Sequence, residues 1–224
     1  MSLSGLAVGL VETLGPLLQE RLTAWIPLLL SLTVHEYAHA RAAALLGDTT
    51  AEAEGRLTLD PIAHIDLLGT VVLPLLGLPI GWARPVPVNP ARFAGGGDGR
   101  LGMLFTAAAG PLSNLAIALG CGAALAVLGL LGGAGALGRL LASVLVLNVA
   151  LALFNLLPVP PLDGSRVVDY LLPSALRGPW EWLQGRSALG LALLLLFVQL
   201  LGLDVGAPVR ALAGALLGLV GAAR

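Results

Sequence analysis

The chain has three histidines, and two of them stand in His35-Glu36-Tyr37-Ala38-His39, deep inside an apolar stretch. On a helix, residues four apart lie one turn above another, so both imidazoles share a face. Placed so, they can hold one zinc ion, and the carboxylate beside the first is positioned to take a proton from zinc-bound water. Ionisable groups in hydrocarbon are costly and rarely kept without a function. A merely hydrogen-bonded histidine pair is therefore the weaker reading.

A tetrahedral catalytic zinc takes three protein ligands and keeps one position open for water. Asp163 fits the third place. It follows an apolar helix in Asn155-Leu156-Leu157-Pro158-Val159-Pro160-Pro161-Leu162-Asp163-Gly164, where the prolines end the helix and an extended run lets the aspartate turn back. His64, in Asp60-Pro61-Ile62-Ala63-His64-Ile65-Asp66, is the next candidate. A lone histidine is more often a packing residue, and the alternative here is a substrate-polarising or ligand-orienting role. Asn155 and Asn148 share a helix face at a spacing of seven. Asn155 can donate to the oxyanion formed when water adds to a carbonyl, or both can tie helices together. Asn114 has the same two options, with the structural one favoured.

The elements that must position these residues are helices. Leu22 to Gly47 is long enough to span about 30 Å of hydrocarbon and carries the histidine pair in its C-terminal half. Residues 101–131 form the next span, with Gly110, Asn114, Ala118 and Gly122 recurring every fourth residue as a stripe that allows close helix approach. Further spans are expected at 139–157, 187–203 and 207–222, while Leu3 to Leu18 is either a marginal span or an interfacial helix. The segment 48–100 differs. Arg56-Leu57-Thr58-Leu59 alternates like a strand, and Pro85-Val86-Pro87-Val88 reads as an extended edge. Leu67 to Ile80 is apolar but broken by Pro74 and Pro79, which suggests a re-entrant, half-depth element packed on protein. The expected fold class is thus an all-α polytopic membrane protein of five to six transmembrane helices, with a small β or re-entrant segment near 55–90.

Composition agrees. Hydrophobic residues make up 57% of the 224 positions and charged ones 11%, against about 25% charged in soluble domains, and mean hydropathy is +0.93. The net charge of -1 and the lack of a basic run give no argument for nucleic acid as a partner. Cys121 has no second cysteine to pair with, and the first twenty residues lack the marks of a removable signal peptide. One membrane domain over 1–224 is expected, with nothing appended. If 48–100 begins and ends on one side, nine of the twelve arginines share that side, the asymmetry of a cytoplasmic face. Asp163 and the C-terminal half of helix 22–47 then lie on that same side.

The sequence resembles the site-2 protease family of intramembrane zinc metalloproteases. The likeness rests on His35-Glu36-Tyr37-Ala38-His39, on Gly81-Trp82-Ala83-Arg84-Pro85-Val86-Pro87-Val88-Asn89-Pro90, on Ala109-Gly110-Pro111 with Asn114, and on Asn155 through Asp163-Gly164. These blocks follow in family order over a core of about 22–170, with the C-terminal helices at 187–222 outside it. The resemblance implies one Zn2+ per chain on His35, His39 and Asp163, with Glu36 as general base and Asn155 binding substrate or oxyanion. It also implies membrane-spanning protein substrates in a lipid bilayer, a multi-pass protein of a prokaryotic cell membrane, and a site toward the cytoplasm. No inserted PDZ module or cystathionine-β-synthase-type domain is expected. An extended substrate would add to a sheet edge at 56–59 or 84–88. The competing readings are a zinc or ion transporter and a non-catalytic zinc-binding scaffold. The sequence fixes neither the oligomeric state nor the substrate.

Overall fold

The computed structural model describes residues 3–77, 81–94, 98–131, 135–204 and 206–222. The two N-terminal pieces anticipated from sequence form one helix, α1 (Leu3–Leu45), with Pro16 and Pro27 inside it. A proline removes one intrahelical bond, and an apolar run without a competing turn absorbs that loss. Past its end, Gly47 takes φ +102 and lies against the backbone of Arg92 and Ala94, so the chain reverses there at a residue without a Cβ.

The segment that follows is a set of short turns. These are α2 (Thr50–Ala53), a 3-10 turn at Pro61–His64, a π-type turn at Leu67–Val72 running into α3 (Leu73–Leu75), and a 3-10 turn at Pro90–Arg92. Among the described residues there is no strand, which corrects the strand expectation for 56–59 and 85–88. The physical reason lies in the bonding. Pro85 and Pro87 have no N–H to give. The remaining donors scatter to separate partners: Trp82 N–H to Gly69 O (3.3 Å), Arg84 N–H to His64 O (2.9 Å), Val86 N–H to Glu36 (2.9 Å) and Asn89 N–H to Asp48 (2.6 Å). A ladder needs consecutive bonds to one neighbour, and none forms. Residues 81–89 are better described as a strap. The apolar piece at 67–75 is helical and packed on α1, with Trp25 Nε1 donating to Thr70 O at 2.5 Å; residues 78–80 lie outside the described residues. The segment closes on its own start, since Ala94 N–H donates to Leu46 O at 2.6 Å.

Two long helices, α4 (Arg100–Leu130) and α5 (Gly135–Asn155), match the anticipated spans and pack on each other and on α1. The chain continues through α6 (Gly164–Leu171), α7 (Ser174–Gln184), α8 (Ser187–Leu201) and α9 (Ala207–Ala222). Ala118, Cys121 and Leu125 of α4, Leu145 and Val149 of α5, and Ala213 of α9 form the apolar core. The opposite face of α4 shows Phe105, Leu112, Leu119 and Val127, each more than half exposed, which suits hydrocarbon rather than water. By length and apolarity α4 and α5 can each cross a membrane, and α7 with Leu189–Leu201 makes a third candidate only as a pair bent by 97°. Helix α1 is long enough, but its own polar residues dilute its apolarity. Helices α8 and α9 have 15 and 16 residues, short of the usual twenty or so. Among the described residues the architecture is all-helical, and helix length and apolarity by themselves mark two to three of the five to six expected spans.

Candidate metal centre

The inward face of α1 is spelled by Ser31, Leu32, His35, Glu36, His39, Ala40 and Ala43, all buried. The 3.6-residue period brings His35 and His39 together with their Nε2 atoms 3.0 Å apart and their rings at right angles. Asp163, at the N-terminus of α6, reaches the same point: its Oδ2 lies 3.2 Å from His35 Nε2 and 3.4 Å from His39 Nε2. The three donor atoms lie within 4.8 Å of one another.

Each imidazole is fixed through its other nitrogen. His39 Nδ1 is 2.7 Å from the Thr106 carbonyl oxygen, an acceptor only, so Nδ1 carries the hydrogen and Nε2 presents a lone pair. His35 Nδ1 donates to Asn114 Oδ1 at 2.6 Å. Asn114 Nδ2 donates to Asn148 Oδ1 (2.8 Å), and Asn148 Nδ2 donates to Ser31 Oγ (2.9 Å) and to Val144 O (2.9 Å). This buried chain joins α1, α4 and α5 and sets which end of each amide faces which neighbour. Asn114, expected mainly to tie helices, therefore orients His35 of the donor set as well, and Asn148 holds Asn114.

Two glycines explain the close approach. On Gly110 of α4, a Cβ would run into both imidazole rings. On Gly164, a Cβ would meet the Leu157 carbonyl oxygen at 2.6 Å. That second contact shows how Asp163 returns to the site. Residues 157–165 do not run extended but turn tightly, with Val159 N–H bonded to Leu157 O, Leu162 N–H to Val159 O and Ser165 N–H to Leu162 O.

These residues fit a metal ion. Two imidazole lone pairs and a carboxylate oxygen converge with no proton donor among them, and Asp163 Oδ2 is buried without a hydrogen-bond partner. Such a trio repels itself unless a cation sits among it, and two imidazoles with one carboxylate suit zinc.

The centre opens into a cavity of about 460 Å³ lined on one side by Trp82, Ala83, Pro85, Val86 and Val88 of the strap and on the other by Asn155, Pro161 and Arg166. Glu36 lines it beside the histidines, its Oε2 accepting the Val86 N–H. Asn155 is half-buried there, its Nδ2 donating to Leu151 O at 3.0 Å. His64 is placed differently. It is buried, its Nε2 donates to Thr58 O at 2.9 Å, and it is not among the cavity-lining residues. Its main-chain oxygen instead anchors Arg84 of the strap.

The strap has two further anchors that carried no signal in sequence. Arg56 is buried and gives its Nη2 to Arg84 O at 2.6 Å. Asp48 accepts from Asn89 and Thr50. Burial pushes the Asp48 carboxyl up, yet the Thr50 hydroxyl, the Asn89 and Thr50 N–H groups and Arg92 hold it below the usual carboxylate range.

Comparison with known proteins gives the family. The profile described as peptidase family M50 matches residues 132–197, the part that carries Asn148, Asn155, Asp163 and Arg166. A Bacillus subtilis (strain 168) protein named "Putative zinc metalloprotease YwhC" is 41% identical over 184 residues, covering 79% of this chain and 80% of that protein. The chain belongs to peptidase family M50, the site-2 protease family. It is therefore a metalloprotease and a membrane protein, and its His35, His39 and Asp163 form the group able to hold the family's metal. No solved structure gives a significant match to this M50 protein.

Proposed function

We propose that this M50 protein is an intramembrane zinc endopeptidase that hydrolyses peptide bonds in or near the transmembrane segments of membrane-tethered proteins. The observation that carries the reading is the convergence of His35, His39 and Asp163 within 4.8 Å in a cavity that also holds Glu36 and Asn155.

His35, His39 and Asp163 would hold a zinc ion, and bound there it would supply Lewis acidity toward water and a carbonyl oxygen. Glu36 is the general base. It takes the proton of the attacking water and later delivers it to the leaving amide nitrogen, so that one water is consumed and an acid and an amine result. The Val86 N–H holds the Glu36 carboxylate in place. Asn155 turns its amide from Leu151 O toward the substrate oxygen as charge develops there. Thr106 O and Asn114 keep the histidine Nε2 atoms turned inward. His64 works through the strap, by anchoring Arg84, rather than on the substrate.

The spans of the proposed membrane topology are α1, α4, α5, α8 and α9, with the bent α7–α8 pair lying partly along the surface and 67–75 at partial depth. The arginine asymmetry favours a site facing the cytoplasm of a prokaryotic cell. A substrate helix hides its peptide bonds in its own hydrogen bonds and unwinds before cleavage. With no sheet edge among the described residues, the unwound segment meets the strap through side-chain packing.

The test is metal content and cleavage in detergent. Unmodified protein is expected to hold about one zinc per chain, with His39→Ala and Asp163→Ala sharply reduced. Glu36→Gln is expected to keep zinc while cleavage of a membrane-tethered reporter disappears. Zinc retained in Asp163→Ala removes the third ligand from this account, and zinc flux into liposomes without cleavage replaces the protease with a transporter.

A further inference from the structure

Charge inside the cavity does not balance. Two carboxylates, Glu36 and Asp163, would offset a divalent ion held there, with the histidines neutral as ligands. The remaining charged residue lining the cavity is Arg166. It stands in the first turn of α6, its N–H bonded to the Asp163 carbonyl at 2.9 Å, so the helix that delivers the third metal ligand also delivers a guanidinium to the same space. Arg166 is half-buried, and its Nη1 donates to Gln184 Oε1 of α7 at 3.3 Å. Among the described residues it makes no ion pair, unlike Arg100, which lies near Asp98 and Asp169. A guanidinium has five donors in a planar fork that matches a carboxylate. A half-buried cation with one neutral hydrogen-bond partner gains when an anion arrives.

We infer that Arg166 is a specificity-determining residue that binds a carboxylate of the substrate, either an acidic side chain flanking the scissile bond or the free C-terminus of a previously trimmed chain. This rests on the protease reading for the word substrate, but binding can be measured without turnover. Gln184 is the positioning residue: it holds the guanidinium over the cavity without neutralising it. The Asp163–Arg166 spacing then couples catalysis to recognition, because one short helix sets the distance from the metal to the anion.

The experiment uses zinc-loaded Glu36→Gln protein in detergent and fluorescent peptides that contain an apolar segment with its polar flank. Glutamate is moved through the flank and compared with glutamine at each place, and each peptide is made with a free and an amidated C-terminus. One carboxylate position is expected to tighten binding about tenfold. Arg166→Gln is expected to erase that difference, Arg166→Lys to keep part of it, and Arg166→Glu to transfer the preference to lysine-bearing peptides. A preference for the free over the amidated terminus identifies the C-terminus as the source; one that follows an internal glutamate and survives amidation identifies the side chain. The inference is overturned if no pair differs by more than about twofold, if Arg166→Gln keeps the discrimination, or if it weakens acidic and neutral peptides equally. Zinc content and melting temperature report whether each variant is folded, and Gln184→Leu, with a smaller loss of discrimination, serves if Arg166→Gln is not. Peptide cleavage by the unmodified protein is measured in parallel, so absence of any turnover overturns the protease reading while the binding result still decides the role of Arg166.

Discussion

Helix α4 uses one stripe of small and polar residues in two ways. Toward its N-terminal end, Thr106, Gly110 and Asn114 face the histidines of α1. Toward its C-terminal end, Ala118, Gly122 and Leu125 face Leu145 and Val149 of α5. The spacing is that of one helix face in both halves, four and four residues and then four and three, but the first half is built around lone pairs and the second around methyl groups. Close approach is required in both. In the polar half there is no slack, because the neighbours are rings fixed at both ends; in the apolar half a side chain can shift by a few tenths of an ångström.

The sharpest way to break this comparison is one substitution made twice. Gly110→Ala puts a methyl into both imidazole rings, so zinc content is expected to fall to background and cleavage with it. Normal zinc in that variant would show that α1 and α4 separate easily at the site. Next in size is Leu145→Ala. The leucine is fully buried, and its truncation is expected to cost about 2 kcal/mol or more, read as a lower unfolding temperature with zinc still at one per chain. Loss of zinc there would mean that the two halves of α4 are coupled. Asn114→Ala removes the acceptor that fixes His35 and leaves Asn148 Oδ1 buried without its donor, so zinc affinity, measured by competition with a chelator, is expected to weaken about 10- to 100-fold and the melting temperature to fall with it. Smallest is Gly122→Ala, whose new methyl would meet Leu145 at an ordinary 3.7 Å. Stability is expected to stay level or rise by up to about 1 kcal/mol, and a large drop would end the claim that the apolar half has slack.

A second contrast separates α1 from the strap. On α1, a fixed period converts residue spacing into geometry, so His35, Glu36 and His39 declare themselves. In the strap, each main-chain donor goes to a different element, and no period exists to reveal that. The alternation at 56–59 and the proline pattern at 85–88 suggested strands because local pattern is all a short segment offers. What they lacked was a neighbour to pair with. Asp48, Arg56 and His64 hold this strap from three places in the sequence, and nothing local distinguishes them from surface residues. Asp163 was legible because prolines and a glycine beside an aspartate mark a helix end that must turn. The manner of turning was not, since Gly164 achieves by tight turns what an extended run was expected to do. Arg166 gave no signal at all, being one arginine among twelve.

By itself the sequence determined the helical class, the apolar setting, the histidine pair with its carboxylate, and the aspartate that completes the donor set. These follow from composition and from periods that act within one helix or one turn. The tertiary structure alone decided which nitrogen of each histidine faces the centre, that Asn114 and Asn148 form the chain that orients them, that 81–89 is a strap rather than a strand, and that Arg166 looks into the cavity. Each of those depends on a partner in another element of the chain, from Gln184 for Arg166 to Ser31 for Asn148, and a hydrogen bond between elements leaves no mark on the spacing of either residue.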